Sequence, residues 1–159
     1  MSDRIFLDTN ILVYAHDADA GEKNAGAAQA VADLWESRNG ILSTQVLQEF
    51  YITLTRKVSS PVTGNVARRL IRNYLTWDLV LNDGAIILHA GEIADNYHLS
   101  FWDGLIVAAA YSKNAAIILS EDMNNGQVIE GIRIEKPSVM LVAYQRSAMK
   151  SEILSQNKM

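Results

Sequence analysis

Four acidic residues stand where the chain changes character. Asp8 follows the apolar run Ile5-Phe6-Leu7, Asp122 closes the polar group that ends Ala116 to Leu119, and Glu49 and Asp103 fall near the starts of two apolar-striped segments. Carboxylates brought together repel one another and hold protons more tightly, unless cations neutralise them. An all-oxygen donor set selects hard ions, Mg²⁺ or Mn²⁺. There is no cysteine, and His occurs only at 16, 89 and 98, which argues against a zinc centre.

Each acid also has an ordinary reading. Asp8 can cap the helix that follows it, and Asp103 completes a box-like pattern with Ser100. Asp122 can open the turn Met123-Asn124-Asn125-Gly126, and Glu49 can be a solvated helix residue, although Val46, Ile52 and Thr53 around it are largely apolar. His16 could approach the same place, but reads more simply as a loop histidine. His89 and His98 have no partner pattern. Arg56, Lys57, Arg68, Arg69 and Arg72 form a basic set that could track phosphates or simply be a solvated face. Phe101 and Trp102 read as core or rim packing.

The elements that must position these residues alternate. Strands are expected at residues 5–7, 41–42, 79–81, 116–119 and 132–134. Between them fall a short helix to about Tyr14, a polar mobile loop from His16 to Asn24, and a helix from Ala25 to Arg38 stopped by Asn39-Gly40. Ala28, Val31, Leu34 and Trp35 give that helix its apolar side. Ser43 or Thr44 caps the next helix, with Val46, Leu47, Phe50, Leu54 and Val58 on its buried stripe. Thr63 opens another, buried through Val66, Leu70, Ile71, Tyr74 and Leu75, with Arg68, Arg69 and Arg72 opposite. A helix from about Ala85 to Tyr97 precedes the most apolar one, Phe101 to Lys113, expected to cover the sheet. A tail from Ser138 to about Leu154 can be helical, with Val139, Leu141, Val142 and Tyr144 able to pack. Strands alternating with helices imply an α/β fold: three layers, α/β/α, around a parallel sheet of about five strands. In such a sheet strand ends and following helix starts share one edge, so all four acids point to the same rim.

The chain has 159 residues, 49% of them hydrophobic, and reads as one domain. Its 18 Asp and Glu against 14 Lys and Arg give a formal charge of −4 and a pI near 5.3. That balance argues against a generic nucleic-acid coat. Four carboxylates gathered around cations would account for the whole excess, so a nuclease is not excluded. With no signal peptide evident, no apolar run long enough to span a bilayer, and no cysteine, the expected location is the cytoplasm.

Four stretches taken in order resemble the motifs of PIN-domain nucleases: Phe6-Leu7-Asp8-Thr9-Asn10-Ile11-Leu12, Ser43 to Phe50, Phe101 to Ala110, and Leu119-Ser120-Glu121-Asp122-Met123. The nearest likeness is to VapC-type toxins of bacterial toxin–antitoxin systems, over residues 5 to about 135. The resemblance implies strand order 3-2-1-4-5, Mg²⁺- or Mn²⁺-dependent cleavage of single-stranded or structured RNA, a homodimer, and inhibition by a VapB-type antitoxin. It makes Asp8, Glu49 and Asp103 the main metal ligands, with Asp122, chosen over Glu121, extending them and Thr9, Asn10 and Ser120 in support. The segment after Pro137 matches no motif. Two other functions compete. An aspartate-nucleophile phosphatase would need a second acid where Asn10 stands, and a non-catalytic module of the same fold would bind RNA or a partner without cutting.

Overall fold

The computed structural model describes residues 3–157, with residues 138–147 described by their backbone alone. In chain order the elements are β1 (Ile5–Leu7), α1 (Thr9–His16), a 3₁₀ turn (Ala18–Ala20), α2 (Glu22–Ser37), β2 (Gly40–Ser43), α3 (Thr44–Arg56) and α4 (Gly64–Tyr74). There follow β3 (Asp78–Val80), α5 (Gly84–Tyr97), α6 (Phe101–Ser112), β4 (Ile117–Leu119), β5 (Val128–Ile129), β6 (Ile132–Glu135) and α7 (Pro137–Gln156).

The strands form one sheet in the order β3-β2-β1-β4-β6-β5. Its first five members are parallel, and they realise the expected 3-2-1-4-5 order. A sixth strand, β5, was not expected; it pairs antiparallel with β6. The connecting turn places Glu130 at φ 52° and Gly131 at φ 79°. Two successive left-handed residues are what a tight two-residue hairpin requires.

Central strands are buried on both faces, so they read as unbroken apolar runs: Phe6, Leu7, Ile41, Leu42, Ile118 and Leu119 are all buried. The chain steps outward from β1 to β2 to β3, then returns to place β4 on the other side of β1. With right-handed crossovers, this reversal sends the helices after β3 to the opposite face from α1–α4. A crevice therefore opens beyond the carboxyl ends of β1 and β4, which run in register from Ile5 opposite Ile117 to Leu7 opposite Leu119.

Several local expectations are corrected. Residues 16–24 are ordered as helical structure, because Asp17 accepts the Asp19 N–H at 3.1 Å to start the 3₁₀ turn and α2 begins at Glu22. Arg38, not Asn39-Gly40, ends α2 in the left-handed conformation. Gly40 instead starts β2, where a Cβ would lie 2.2 Å from the Trp77 ring. On α2 the buried residues are Ala27, Val31 and Leu34, whereas Ala28 and Trp35 are exposed. On α4 they are Ala67 and Tyr74, and Leu75 is exposed. Pro137 does not merely stop β6: it takes the first turn of α7, where its missing N–H costs nothing. The helical tail is thus present, while the packing expected of Val139, Leu141, Val142 and Tyr144 lies outside the described residues. Among the described residues, no helix is long and apolar enough to cross a membrane.

Candidate active site

Asp8 is the residue at which β1 becomes α1. Its backbone N–H continues the sheet by donating to the Leu119 carbonyl at 3.0 Å. Its side chain caps α1 by accepting the Thr9 N–H at 2.7 Å. The capping reading is therefore correct, yet it occupies only Oδ1. Oδ2 accepts the Ser120 hydroxyl at 2.8 Å and the Asn10 amide at 3.4 Å, so the carboxylate is tied to both sides of the crevice. Asp8 is only 8% exposed. Burial, above all, raises its pKa to about 6; the Asp103 and Glu49 charges push the same way, against the bonds from Ser120 and Thr9.

Ser120 is fully buried directly after β4 and organises the next turn. Its oxygen accepts the N–H groups of Asp122 and Met123 at 3.3 and 3.2 Å while its hydroxyl serves Asp8. Asn10, in the first turn of α1, spans the crevice. It donates to Asp122 Oδ2 and accepts the Glu121 N–H, each at 3.1 Å. Glu49 lies on the second turn of α3, a helix that Ser43 caps by accepting the Val46 N–H at 3.3 Å. One Glu49 oxygen accepts the Thr9 hydroxyl at 2.5 Å, and the other accepts the Gln45 amide at 3.1 Å. Asp103 sits in the first turn of α6, where Ser100 accepts its N–H at 3.1 Å. Its pKa is raised, first by burial and then by the charges of Asp122 and Glu49.

All four acids line one cleft of about 510 Å³, together with Thr9, Asn10, Val13, Tyr14, Asp17, Thr53, Lys57, Val58 and Ser59. Among the described residues, none of the four forms an ion pair with a basic side chain. Such a set of mutually repelling, oxygen-only donors fits a hard divalent cation in its chemistry. Among the described residues, however, no three His, Cys, Asp or Glu side chains converge as a closed metal cluster. The acids rim an open cleft.

The other candidates fall elsewhere. His16 ends α1 and turns away from the cleft, with Nε2 2.6 Å from the Tyr74 hydroxyl and its ring edge-on to Phe50. Burial lowers its pKa. His89 has a partner after all, its Nε2 standing 3.8 Å from Glu130 Oε1. Of the five basic residues, Lys57 alone lines the cleft. Arg56, Arg68, Arg69 and Arg72 are exposed outside that lining. Phe101 and Trp102 are exposed at the start of α6 and do not belong to the core.

Sequence reasoning missed Gln45, whose Nε2 also reaches the Trp102 carbonyl at 3.3 Å and so links α3 to the start of α6. Its signal was present, because Gln45 precedes Glu49 by one helical turn. It also missed Tyr14 and Ser59, which only the packing of α1 beside α3 brings to the cleft.

A family model of the PIN domain matches residues 5–127. The chain belongs to the PIN domain family. No curated protein matches it in sequence. Solved structures do match this PIN domain protein in fold. One is VapC20 of Mycobacterium tuberculosis, a sarcin-ricin loop cleaving toxin, at 20% identity and TM-score 0.60, covering 81% of this chain and 98% of that one. Another is a toxin–antitoxin complex from Klebsiella pneumoniae, at 18% identity and TM-score 0.63, covering 84% and 97%. A third is VapBC2 from Rickettsia felis bound to a promoter DNA fragment, at 18% identity and TM-score 0.58, covering 83% and 97%. At these identities the likeness is one of fold.

Proposed function

We propose that this PIN domain protein, acting as one domain over residues 1–159, is an endoribonuclease dependent on Mg²⁺ or Mn²⁺, and the toxin of a type II toxin–antitoxin pair. The observation that carries the reading is the gathering of Asp8, Glu49, Asp103 and Asp122 around one cleft, where, among the described residues, none of them forms an ion pair with a basic side chain. These four would hold the metal. When bound, a divalent ion supplies the positive charge that lets the acids ionise together, activates water for attack on a phosphodiester and stabilises the leaving oxygen.

The chain's own residues set the stage. Ser120, from beyond β4, and Asn10, from α1, both donate to Asp8 Oδ2 and fix the orientation of its carboxylate. Thr9 and Gln45 fix both oxygens of Glu49, so its orientation is set before substrate arrives. Asn10 does the same for Asp122. No side chain in the cleft is a Cys or a Ser paired with a His, so the residues support hydrolysis by water rather than by a protein nucleophile.

A VapB-type antitoxin and a second copy of the chain are the proposed protein partners, in the cytoplasm. Toxin–antitoxin complexes among the fold neighbours support the first.

The test is to incubate the purified protein with total cellular RNA and Mn²⁺ or Mg²⁺, and to sequence the cut ends. Discrete metal-dependent cuts that vanish in Asp8→Asn are expected. RNA binding without cutting would replace this reading with a non-catalytic module.

A further inference from the structure

Trp35 separates two hollows that share no residue with the carboxylate cleft. One, of about 390 Å³, is lined by residues that include His16, Asn73 and Tyr74; the other, of about 270 Å³, by residues that include Arg38, Gly40, Trp77 and Asp78. Trp35 and Thr76 line both. Gly40 and Asp78 open the parallel strands β2 and β3, so the second hollow lies at the amino edge of the sheet, away from the acids at its carboxyl edge.

The first hollow is uncharged. The Trp35 indole donates to the Tyr74 oxygen, and the Tyr74 hydroxyl donates to His16 Nε2 at 2.6 Å, which leaves the imidazole neutral with its proton on Nδ1. Burial favours the same neutral form. Neither that Nδ1 nor the Asn73 side-chain amide has a hydrogen-bond partner among the described residues, and Thr76, whose hydroxyl donates to the Asn73 carbonyl at 2.8 Å, keeps lone pairs free. Aromatic walls with neutral donors and acceptors between them suit a flat heterocycle, stacked on a ring face and bonded along its edge.

The second hollow is cationic. Arg38 is exposed, forms no ion pair among the described residues, and is the left-handed residue, at φ 61°, that ends α2. Asp78 does not cancel it, because Arg4 and Lys113 already pair with that carboxylate, the latter at 3.2 Å. Three cations thus stand against one acid at this edge of the sheet. The Trp77 indole nitrogen is buried without a hydrogen-bond partner among the described residues, an orphan donor that a bound oxygen or an ordered water would satisfy. A planar guanidinium is the side chain best matched to a phosphate.

We propose that the two adjoining hollows form a mononucleotide site remote from the catalytic cleft, with the base against Trp35 in the neutral hollow and the 5′-phosphate on Arg38 in the cationic one. Together they fall within the roughly 300–1,000 Å³ of a small-ligand site. His16 is the last residue of α1, the helix that Asp8 caps and that carries Asn10, and Asp17 after it lines the cleft. A nucleotide held against His16 therefore braces the helix that positions Asp8 and Asp122. The inference goes beyond the ribonuclease reading, and neither depends on the other.

The test is calorimetric titration of the full chain, kept free of metal with EDTA, with adenosine monophosphate, adenosine and inorganic phosphate. Adenosine monophosphate should saturate one site and bind about tenfold more tightly than adenosine, the worth of one hydrogen bond between charged groups. Phosphate alone should bind most weakly. Arg38→Gly, which removes the cation and suits the left-handed backbone, should weaken adenosine monophosphate about tenfold and leave adenosine unchanged, whereas Arg38→Lys should keep most of the difference. Asn73→Ala should weaken both nucleoside ligands alike. Asp8→Asn should bind as the wild type does, because the cleft takes no part. Amide hydrogen exchange in α1 should slow when adenosine monophosphate is bound. The inference is overturned if adenosine monophosphate does not bind, if Asp8→Asn abolishes its binding, if Arg38→Gly leaves it unchanged, or if phosphate alone binds as tightly; unchanged exchange in α1 would overturn the bracing of the cleft.

Discussion

Asn10 and Asp122 lie 112 positions apart in sequence, yet the Asn10 amide donates to Asp122 Oδ2 at 3.1 Å. The same side chain accepts the Glu121 N–H, so a residue of α1 fixes the loop beyond β4. This orients Asp122 into the cleft and uses Glu121 through its backbone. Asn10→Ala should lower RNA cleavage by about 10- to 100-fold, the usual cost of losing a residue that orients a metal ligand, with little change in melting temperature. Asp122→Asn should cost more activity than Glu121→Gln. Equal losses in the last two variants, measured as kcat/KM, would reverse the choice between these neighbouring acids.

Asp8 makes the metal-free protein sensitive to pH. Its carboxyl has a pKa of about 6 in the folded protein, against 3.8 as the ordinary value. Between those two pH values the folded chain keeps a proton that the unfolded chain has released. Stability therefore falls as pH rises through that window, by up to about 3 kcal/mol, and the penalty is absent below it. Asp8→Asn removes the penalty. In thermal melts without metal it should be more stable than the wild type at pH 7.5 and indistinguishable from it near pH 4. Added Mn²⁺ should raise the wild-type melting temperature at pH 7.5 and leave Asp8→Asn nearly unmoved.

How much of this could be read beforehand depends on how local the cause is. Asp8, Ser43, Ser100 and Ser120 act within a few residues of strand ends or helix starts, so the alternation of apolar runs and caps was enough to place them and to imply a parallel sheet, while the 3-2-1-4-5 order came only from the resemblance to PIN-domain nucleases. The bond that Ser59 donates to Asp19 Oδ2 at 3.0 Å is different, because it depends on the loop after α3 meeting the 3₁₀ turn after α1, and no short pattern carries that. Burial was misjudged by one helical position at Ala28 for Ala27 on α2 and at Val66 for Ala67 on α4, where Leu75 beside the rightly placed Tyr74 is also exposed. A neighbouring apolar residue fits the same stripe nearly as well, and only the packed partner decides. Trp77 decides Gly40 in the same way.

Gln45 can be tested apart from the acids it serves. It is 5% exposed, its amide nitrogen bridges Glu49 and the Trp102 carbonyl, and among the described residues its Oε1 has no hydrogen-bond partner. In Gln45→Leu the bridge is lost, but so is a buried unsatisfied oxygen, and the two effects on stability, each about 1–3 kcal/mol, oppose one another. Cleavage should fall about tenfold while the melting temperature moves little. In Gln45→Glu a further negative charge enters beside Glu49, and both activity and stability should drop. A Gln45→Leu enzyme with full kcat would show that Thr9 alone suffices to hold Glu49.

Gly104 follows Asp103 on α6 and is there because α5 leaves no room for more. A Cβ at position 104 would come within 2.5 Å of the Ala90 carbonyl oxygen, a backbone atom that cannot swing aside. Gly104→Ala should therefore force α6 off α5 and cost about 1–3 kcal/mol despite the better helix propensity of alanine. Because Asp103 is the adjacent residue, metal-dependent cleavage should fall with stability. Gly91 supplies the control: it lies in α5, where a Cβ meets nothing within 4 Å. Gly91→Ala should stabilise the protein by up to about 1 kcal/mol and leave cleavage unchanged. Denaturant melts of the two variants side by side check the pair, and a Gly104→Ala protein as stable as Gly91→Ala would mean that α5 and α6 are packed less closely than this structure places them.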